Sequence, residues 1–213
     1  KGLATGIAVC AFGFASAIAS PIITWLTANI TLPESFIVLS LIYFVPMIIA
    51  HLLIKKPDWY KETTTKTNFK AKNLLKSSHF ILIWFIVFIN ITCGLALIST
   101  ASPIMTEQGI TSEFITIVIS IMGIFNGIGR LIFSAISDKL RNRANIYKVI
   151  LLISIVVSII TVMLADTITI PITLIVISAC YGAGFSCLPS LLSDIFGMDN
   201  VSKIHGITLT AWG

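Results

Sequence analysis

Long apolar stretches alternate with short polar ones from one end of the chain to the other. Runs able to cross about 30 Å of hydrocarbon recur six times: Leu3 to Thr27, Phe36 to Ile54, Phe80 to Ile98, Phe114 to Ile136, Ile146 to Ala165 and Ile168 to Leu192. A seventh run begins at Val201 and reaches Gly213. A backbone in lipid must satisfy its own hydrogen bonds, and the period-2 alternation of a membrane barrel strand is absent. The pattern therefore predicts an all-α fold: a polytopic membrane helical bundle with six transmembrane helices and the start of a seventh.

Composition supports this reading. Of 213 residues, 56% are apolar and 11% charged, against about 45–50% and about 25% in an average soluble domain. The net charge of +5 points to nucleic acid only until the bases are placed. Lys55 to Ser78 carries seven lysines, and Lys139 to Lys148 carries Lys139, Arg141, Arg143 and Lys148, whereas Ala28 to Ser35, Thr100 to Glu113 and the turn at Asp166 carry none. Bases near span ends stay on the cytoplasmic side, so both ends of the chain are expected in the cytoplasm. The basic balance then reflects topology, and no nucleic-acid partner is expected.

Lys55 to Ser78 is the one long polar segment, rich in Lys and Thr. It reads as a cytoplasmic linker between bundles, with a short surface helix near Phe69 to Leu75. The domain division expected is residues 1–54 as the last two helices of an N-terminal bundle, 55–78 as the inter-bundle loop, and 79–213 as a C-terminal bundle. Lys1 directly abuts an apolar span with no initiator Met, so the chain is expected to begin inside something larger.

Small residues form stripes. Gly2, Gly6, Cys10, Gly13 and Ala17 share one face of the first span, and Gly123 and Gly127 make a G-x-x-x-G in the fourth, both suited to close helix approach. In the sixth, Tyr181, Gly182, Ala183, Gly184 and Pro189 suggest an interrupted helix lining a cavity or a plain packing face.

Arg130 is the one base inside a span, about seven residues or roughly 10 Å from the span's end at Ser137. A charge there costs about 2.5–3.5 kcal/mol on insertion scales, so it should face a cavity, a partner or a substrate. Asn126, Arg130, Ser134 and Asp138 repeat at i, i+4 and predict a continuous polar stripe. No other span supplies a mid-membrane carboxylate. An Arg without an internal counter-ion suits a substrate carboxylate, which its planar fork binds through both oxygens. The alternatives are an acid in helices outside this chain, or snorkelling to the interface. Asp138, Lys139, Arg141 and Arg143 form a charge-dense turn that reads as a gate latch or as positive-inside anchoring.

The remaining chemistry is sparse. Cys10, Cys93, Cys180 and Cys187 lie in apolar runs without C-x-x-C spacing and read as packing residues. His51, His79 and His205 sit near span ends and read as interfacial. There is no G-x-x-x-x-G-K-[ST], H-E-x-x-H or nucleophile elbow. No enzyme activity, cofactor or metal is expected.

Four stretches carry a family resemblance: Lys1 to Val9 (KGLATGIAV), Asn90 to Pro103 (NITCGLALISTASP), Phe125 to Arg130 (FNGIGR) with Ser137-Asp138-Lys139, and Tyr181 to Ser186 (YGAGFS) with Pro189 and His205 to Trp212. They resemble the major facilitator superfamily, more narrowly its oxalate/formate antiporters and monocarboxylate carriers. The resemblance implies a partial major facilitator fold covering about helices five to ten of twelve, whose partners are the missing helices of the same transporter, the lipid bilayer and a small organic anion. It places the protein in a bacterial inner membrane. It also implies transport by alternating access, with Arg130 on the substrate carboxylate, Asn126, Asn90 and Tyr181 as candidate hydrogen-bond partners, and Asp138, Lys139, Arg141 and Arg143 at the gate.

The chain departs from the family at Ser134 and Arg141, where the loop motif has Gly. Trp212 aligns where the resemblance places a helix-eleven lysine in oxalate exchangers, which favours a monocarboxylate or another substrate over oxalate. Asn126 replaces the acidic residue of monocarboxylate carriers. The competing readings are a carrier of zwitterions or sugars, and a non-functional remnant of a split transporter gene.

Overall fold

The computed structural model describes residues 2–55, 74–164 and 166–212. Six long helices cross in alternation: α1 (Gly2–Asn29), α2 (Leu32–Leu53), α3 (Ser78–Glu107), α4 (Ser112–Lys139), α5 (Asn145–Leu164) and α6 (Thr169–Phe196). A short 3₁₀ turn leads into α7 (Val201–Thr208), and a second 3₁₀ turn closes the described chain at Trp212. All six long helices are apolar and long enough to span a bilayer. The expected surface helix near Phe69 falls mostly outside the described residues, although Leu74 is buried in the core.

The helix ends follow local chemistry. Thr31 opens α2 with its backbone N–H and its hydroxyl donating to Glu34 Oε2 at 2.9 and 2.7 Å, so the Glu34 carboxylate reaches back to satisfy the N–H at the helix start. Asp166 Oδ1 accepts from the backbone of Ile168 at 2.8 Å and of Thr169 at 2.6 Å; these donors, Thr169 before Ile168, hold its carboxyl below the usual carboxylate range. Gly109, at φ +73°, turns the chain between α3 and α4 in the left-handed region that favours glycine.

Two expectations are corrected. Thr100 to Glu113 was expected to be a loop, but α3 continues to Glu107. Its polar residues need no water there: Ser99 and Thr100 donate to the Ala96 carbonyl, and Thr106 donates to that of Ser102. The expected interruption at Tyr181 to Gly184 is also absent, since α6 runs unbroken through it. Its small residues serve contact instead. A Cβ on Gly182 would collide with the Asn126 carbonyl, and one on Gly184 with the Asn90 side chain.

The core lies around α6, which packs against α1, α3, α4 and α5. One apolar cluster joins Phe80, Val87 and Ile91 of α3 to Ile146 and Ile150 of α5 and Leu188 and Leu192 of α6. A second joins Ala101 and Met105 of α3, Val118 and Met122 of α4 and Leu174 of α6. Among the side chains of α2, only Ser35 is buried. Lipid is as apolar as leucine, so close fit and hydrogen bonds must hold the helices together. Tyr147 donates its hydroxyl to the Gly184 carbonyl at 2.6 Å, and Ser178 donates to that of Met122 at 2.9 Å.

The small-residue stripes of α1 and α4 meet each other. A Cβ on Gly13 would fall 2.5 Å from the Gly127 nitrogen, and one on Gly6 2.8 Å from the Arg130 carbonyl oxygen. The two helices touch through backbone.

Candidate functional site

The i, i+4 stripe on α4 runs along the seam with α1 and α6. Arg130 has no exposed surface. Its Nε donates to Asn126 Oδ1 at 3.0 Å, and Asn126 Nδ2 donates to the Ser178 carbonyl on α6 at 3.1 Å. One turn later, Ser134 Oγ donates to Ser186 Oγ at 2.8 Å, and Ser186 Oγ donates to the Arg130 carbonyl at 3.1 Å. The backbone and inner nitrogen of Arg130 are thus pinned by neighbours on two helices.

Its outer nitrogens are not. Nη1 and Nη2 are buried and lack a hydrogen-bond partner. No ion pair to Arg130 occurs among the described residues. The guanidinium carbon instead lies 5.0 Å from the Phe12 ring centroid and 5.1 Å from that of Phe185, within the range of cation–π attraction. Such contacts supply no acceptor, and a buried charged donor left without one is costly.

The other candidate substrate residues divide. Tyr181 is buried and within electrostatic range of Arg130. Asn90 Nδ2 donates to the Cys180 carbonyl at 3.4 Å. Asn90 and Tyr181 both line a largely apolar cavity of about 490 Å³ between α3, α5 and α6. Of the polar candidates, Asn126 is the one bonded to Arg130.

At the basic end of the bundle, Asp138 draws α1 and α4 together. Its Oδ1 and Oδ2 accept from the backbone of Gly2 at 2.9 Å and of Leu3 at 2.8 Å, in the first turn of α1. The unsatisfied amides of a first turn carry positive partial charge and favour a carboxylate. Arg143 adds a second link. Its Nη2 reaches Asp138 Oδ1 at 2.6 Å, its Nε reaches Asp194 Oδ2 on α6 at 2.5 Å, and its Nη1 donates to Ser137 Oγ at 3.1 Å. Burial opposes the Arg143 charge, but the two carboxylates outweigh it and hold the guanidinium above its ordinary value. Lys139 and Arg141 are exposed and belong to neither ion pair.

Sequence reasoning missed Asp194 as a partner of Arg143, along with the aromatic residues Phe12 and Phe185 over Arg130. Asp194 carried a signal, an acid near the end of a span opposite a basic turn. The aromatics carried none, because phenylalanine in an apolar span is ordinary.

The Major Facilitator Superfamily model matches residues 1–213. The chain belongs to this superfamily. It is also similar to an oxalate:formate antiporter of Oxalobacter formigenes, with 23% identity over 211 residues, covering 97% of this chain and 50% of the relative. The chain thus spans about half the length of the curated relative it matches. With six apolar helices, it is a multi-pass membrane protein with a partial facilitator bundle, and both the family and the relative are transporters rather than enzymes.

Proposed function

We propose that the protein of which this chain is part moves a small organic anion, a carboxylate, across the membrane by alternating access. The observation that carries this reading is the Arg130 fork, wholly buried with both outer nitrogens unpartnered. A carboxylate would complete it with two parallel charge-assisted hydrogen bonds. Asn126 orients the fork through Nε, and Tyr181 stands beside it. Asn90 contributes from the neighbouring wall.

α1 and α2 belong to an N-terminal bundle, residues 55–78 form the connection, and the helices from α3 onward belong to a C-terminal bundle. The basic end faces the cytoplasm, by the distribution of Lys and Arg. Asp138 and Arg143 then form a latch on that side, joining α1 of one bundle to α4 and α6 of the other, with Lys139 and Arg141 supplying the surrounding positive field.

Carboxylate uptake by proteoliposomes of the full-length protein tests the reading. Arg130→Gln is expected to lower uptake at least tenfold, and Arg130→Lys to recover only part of it, because an ammonium lacks the planar fork. Uptake undiminished in Arg130→Gln would sink the binding role.

A further inference from the structure

Two hollows open at opposite ends of the long helices, at the level of bilayer headgroups, and they differ in charge. At one end a hollow of about 530 Å³ is walled by Gly109, Phe114, Ile168, Pro171 and other uncharged residues. At the basic end, where α4 finishes, α5 begins and α6 nears its last turn, a hollow of about 640 Å³ has a polar side and an apolar one. Both volumes fall within the range of about 300–1,000 Å³ usual for ligand sites, but only the second offers a charge to a ligand.

Leu140, Leu191 and Ile195 form the apolar side of that second hollow, and Arg141, Asn142 and Asn145 the polar one. Asp194 also lines it, but this carboxylate already faces Arg143. Asn142 Oδ1 accepts from the backbone N–H of Ala144 at 3.0 Å, which leaves its Nδ2 as the group to offer a ligand. Arg141 adds an exposed guanidinium. Lys139 and Lys148 stand exposed just outside, on α4 and α5, so that Lys139, Arg141, Arg143 and Lys148 outnumber Asp138 and Asp194 here.

A phosphodiester attached to an apolar chain answers this arrangement. Its non-bridging oxygens are acceptors that suit the planar guanidinium fork and the amide N–H groups, and its chain covers leucine and isoleucine surface that free phosphate would leave wet. A zwitterionic headgroup would bring an ammonium into a field of bases. We propose that this pocket binds the headgroup of an anionic phospholipid, with the phosphate on Arg141, Asn142 and Asn145 and the glycerol and first acyl carbons against Leu140, Leu191 and Ile195. The site stands apart from Arg130 and does not depend on the carboxylate reading.

Full-length protein in detergent at physiological ionic strength would be given equal amounts of phosphatidylglycerol and phosphatidylcholine, and the lipids retained would be counted by native mass spectrometry. Phosphatidylglycerol is expected to be retained at least about fivefold over phosphatidylcholine, and Arg141→Gln to cut that ratio about fivefold, the weight of one base near a bilayer surface. Asn145→Leu should also lower the ratio, although it changes no charge. Lys139→Gln removes the same charge as Arg141→Gln but outside the pocket, and should move the ratio by no more than about twofold in a screening solution. Equal losses in Lys139→Gln and Arg141→Gln would mean diffuse attraction and overturn the pocket, as would a wild type that retains both lipids alike. Displacement of the retained lipid by excess inorganic phosphate would reassign the site to a free anion and overturn the lipid proposal. Each ratio is read on intact protein, so a variant that folds poorly lowers the yield without moving it.

Discussion

The seam between α1 and α4 is built in two ways along its length. Toward the basic end, Gly6 and Gly13 bring the α1 backbone against the backbone of Arg130 and Gly127, and Asp138 ties the α4 terminus to the amides of Gly2 and Leu3. Toward the other end, the helices and α3 diverge around a hollow of about 350 Å³ with hydroxyl residues such as Ser20, Thr24, Ser102 and Thr116 in its wall. Several of those hydroxyls are already bonded within their own helices: Thr27 to the Ile23 carbonyl, Thr106 to that of Ser102 and Thr116 to that of Ser112. They ask for no partner across the gap. One half is closed by contacts a methyl group would disrupt, and the other is a hollow lined partly by hydroxyls that bond within their own helices. Arg130 lies within the tightly packed part of this seam.

The largest expected effect comes from forcing the closed half apart. Gly13→Leu would drive a side chain into the Gly127 backbone, already 2.5 Å from an added Cβ. Overpacking of this kind costs about 1–3 kcal/mol, and thermal unfolding in detergent should show it as a clear drop in midpoint. An unchanged midpoint would mean that the helices are not held by backbone contact.

Asp138→Asn probes the same half electrostatically. It weakens two amide hydrogen bonds and removes the charge facing Arg143, interactions of a class worth about 1.5–3 kcal/mol when a charged partner is involved. The distance between spin labels at Leu3 and Ile195 should lengthen or broaden; a distribution identical to wild type would show that Asp138 does not hold the end shut.

Arg143→Gln should act in the same direction. In a double-mutant cycle with Asp138→Asn, a coupling of about 0.5–3 kcal/mol is expected for groups in one network. Simple additivity would separate the two links of the latch. The smallest effect belongs to the open half. Thr24→Val should change stability by no more than about 0.5 kcal/mol, and a loss comparable to that of Gly13→Leu would erase the contrast between the halves.

Much of this was legible before any coordinates. Helical spacing alone put Asn126, Arg130, Ser134 and Asp138 on one face, and they do follow one line along α4. The same geometry gathered the α1 glycines on one face suited to close approach. Helix ends were less legible, because Ser and Thr look like loop residues in a hydropathy pattern yet bond back to carbonyls three or four positions earlier. The division of the polar line among partners was not legible at all. Arg130 bonds within its own helix, Ser134 bonds to α6 and Asp138 to α1, and spacing along α4 holds no information about what stands across from each turn.

The amino-acid order by itself determined that this chain crosses a membrane repeatedly as helices, which ends of those helices carry the bases, and that one guanidinium lies within a span. Those are consequences of transfer free energy and helical periodicity, both properties of a single segment. Only the tertiary structure decided that Phe12 and Phe185 converge on that guanidinium, and that Asp194 meets Arg143 from 51 residues away. Such meetings depend on how helices cross. In lipid, where leucine and acyl chain are equally apolar, crossing is settled by close fit and a few hydrogen bonds between segments far apart in the chain.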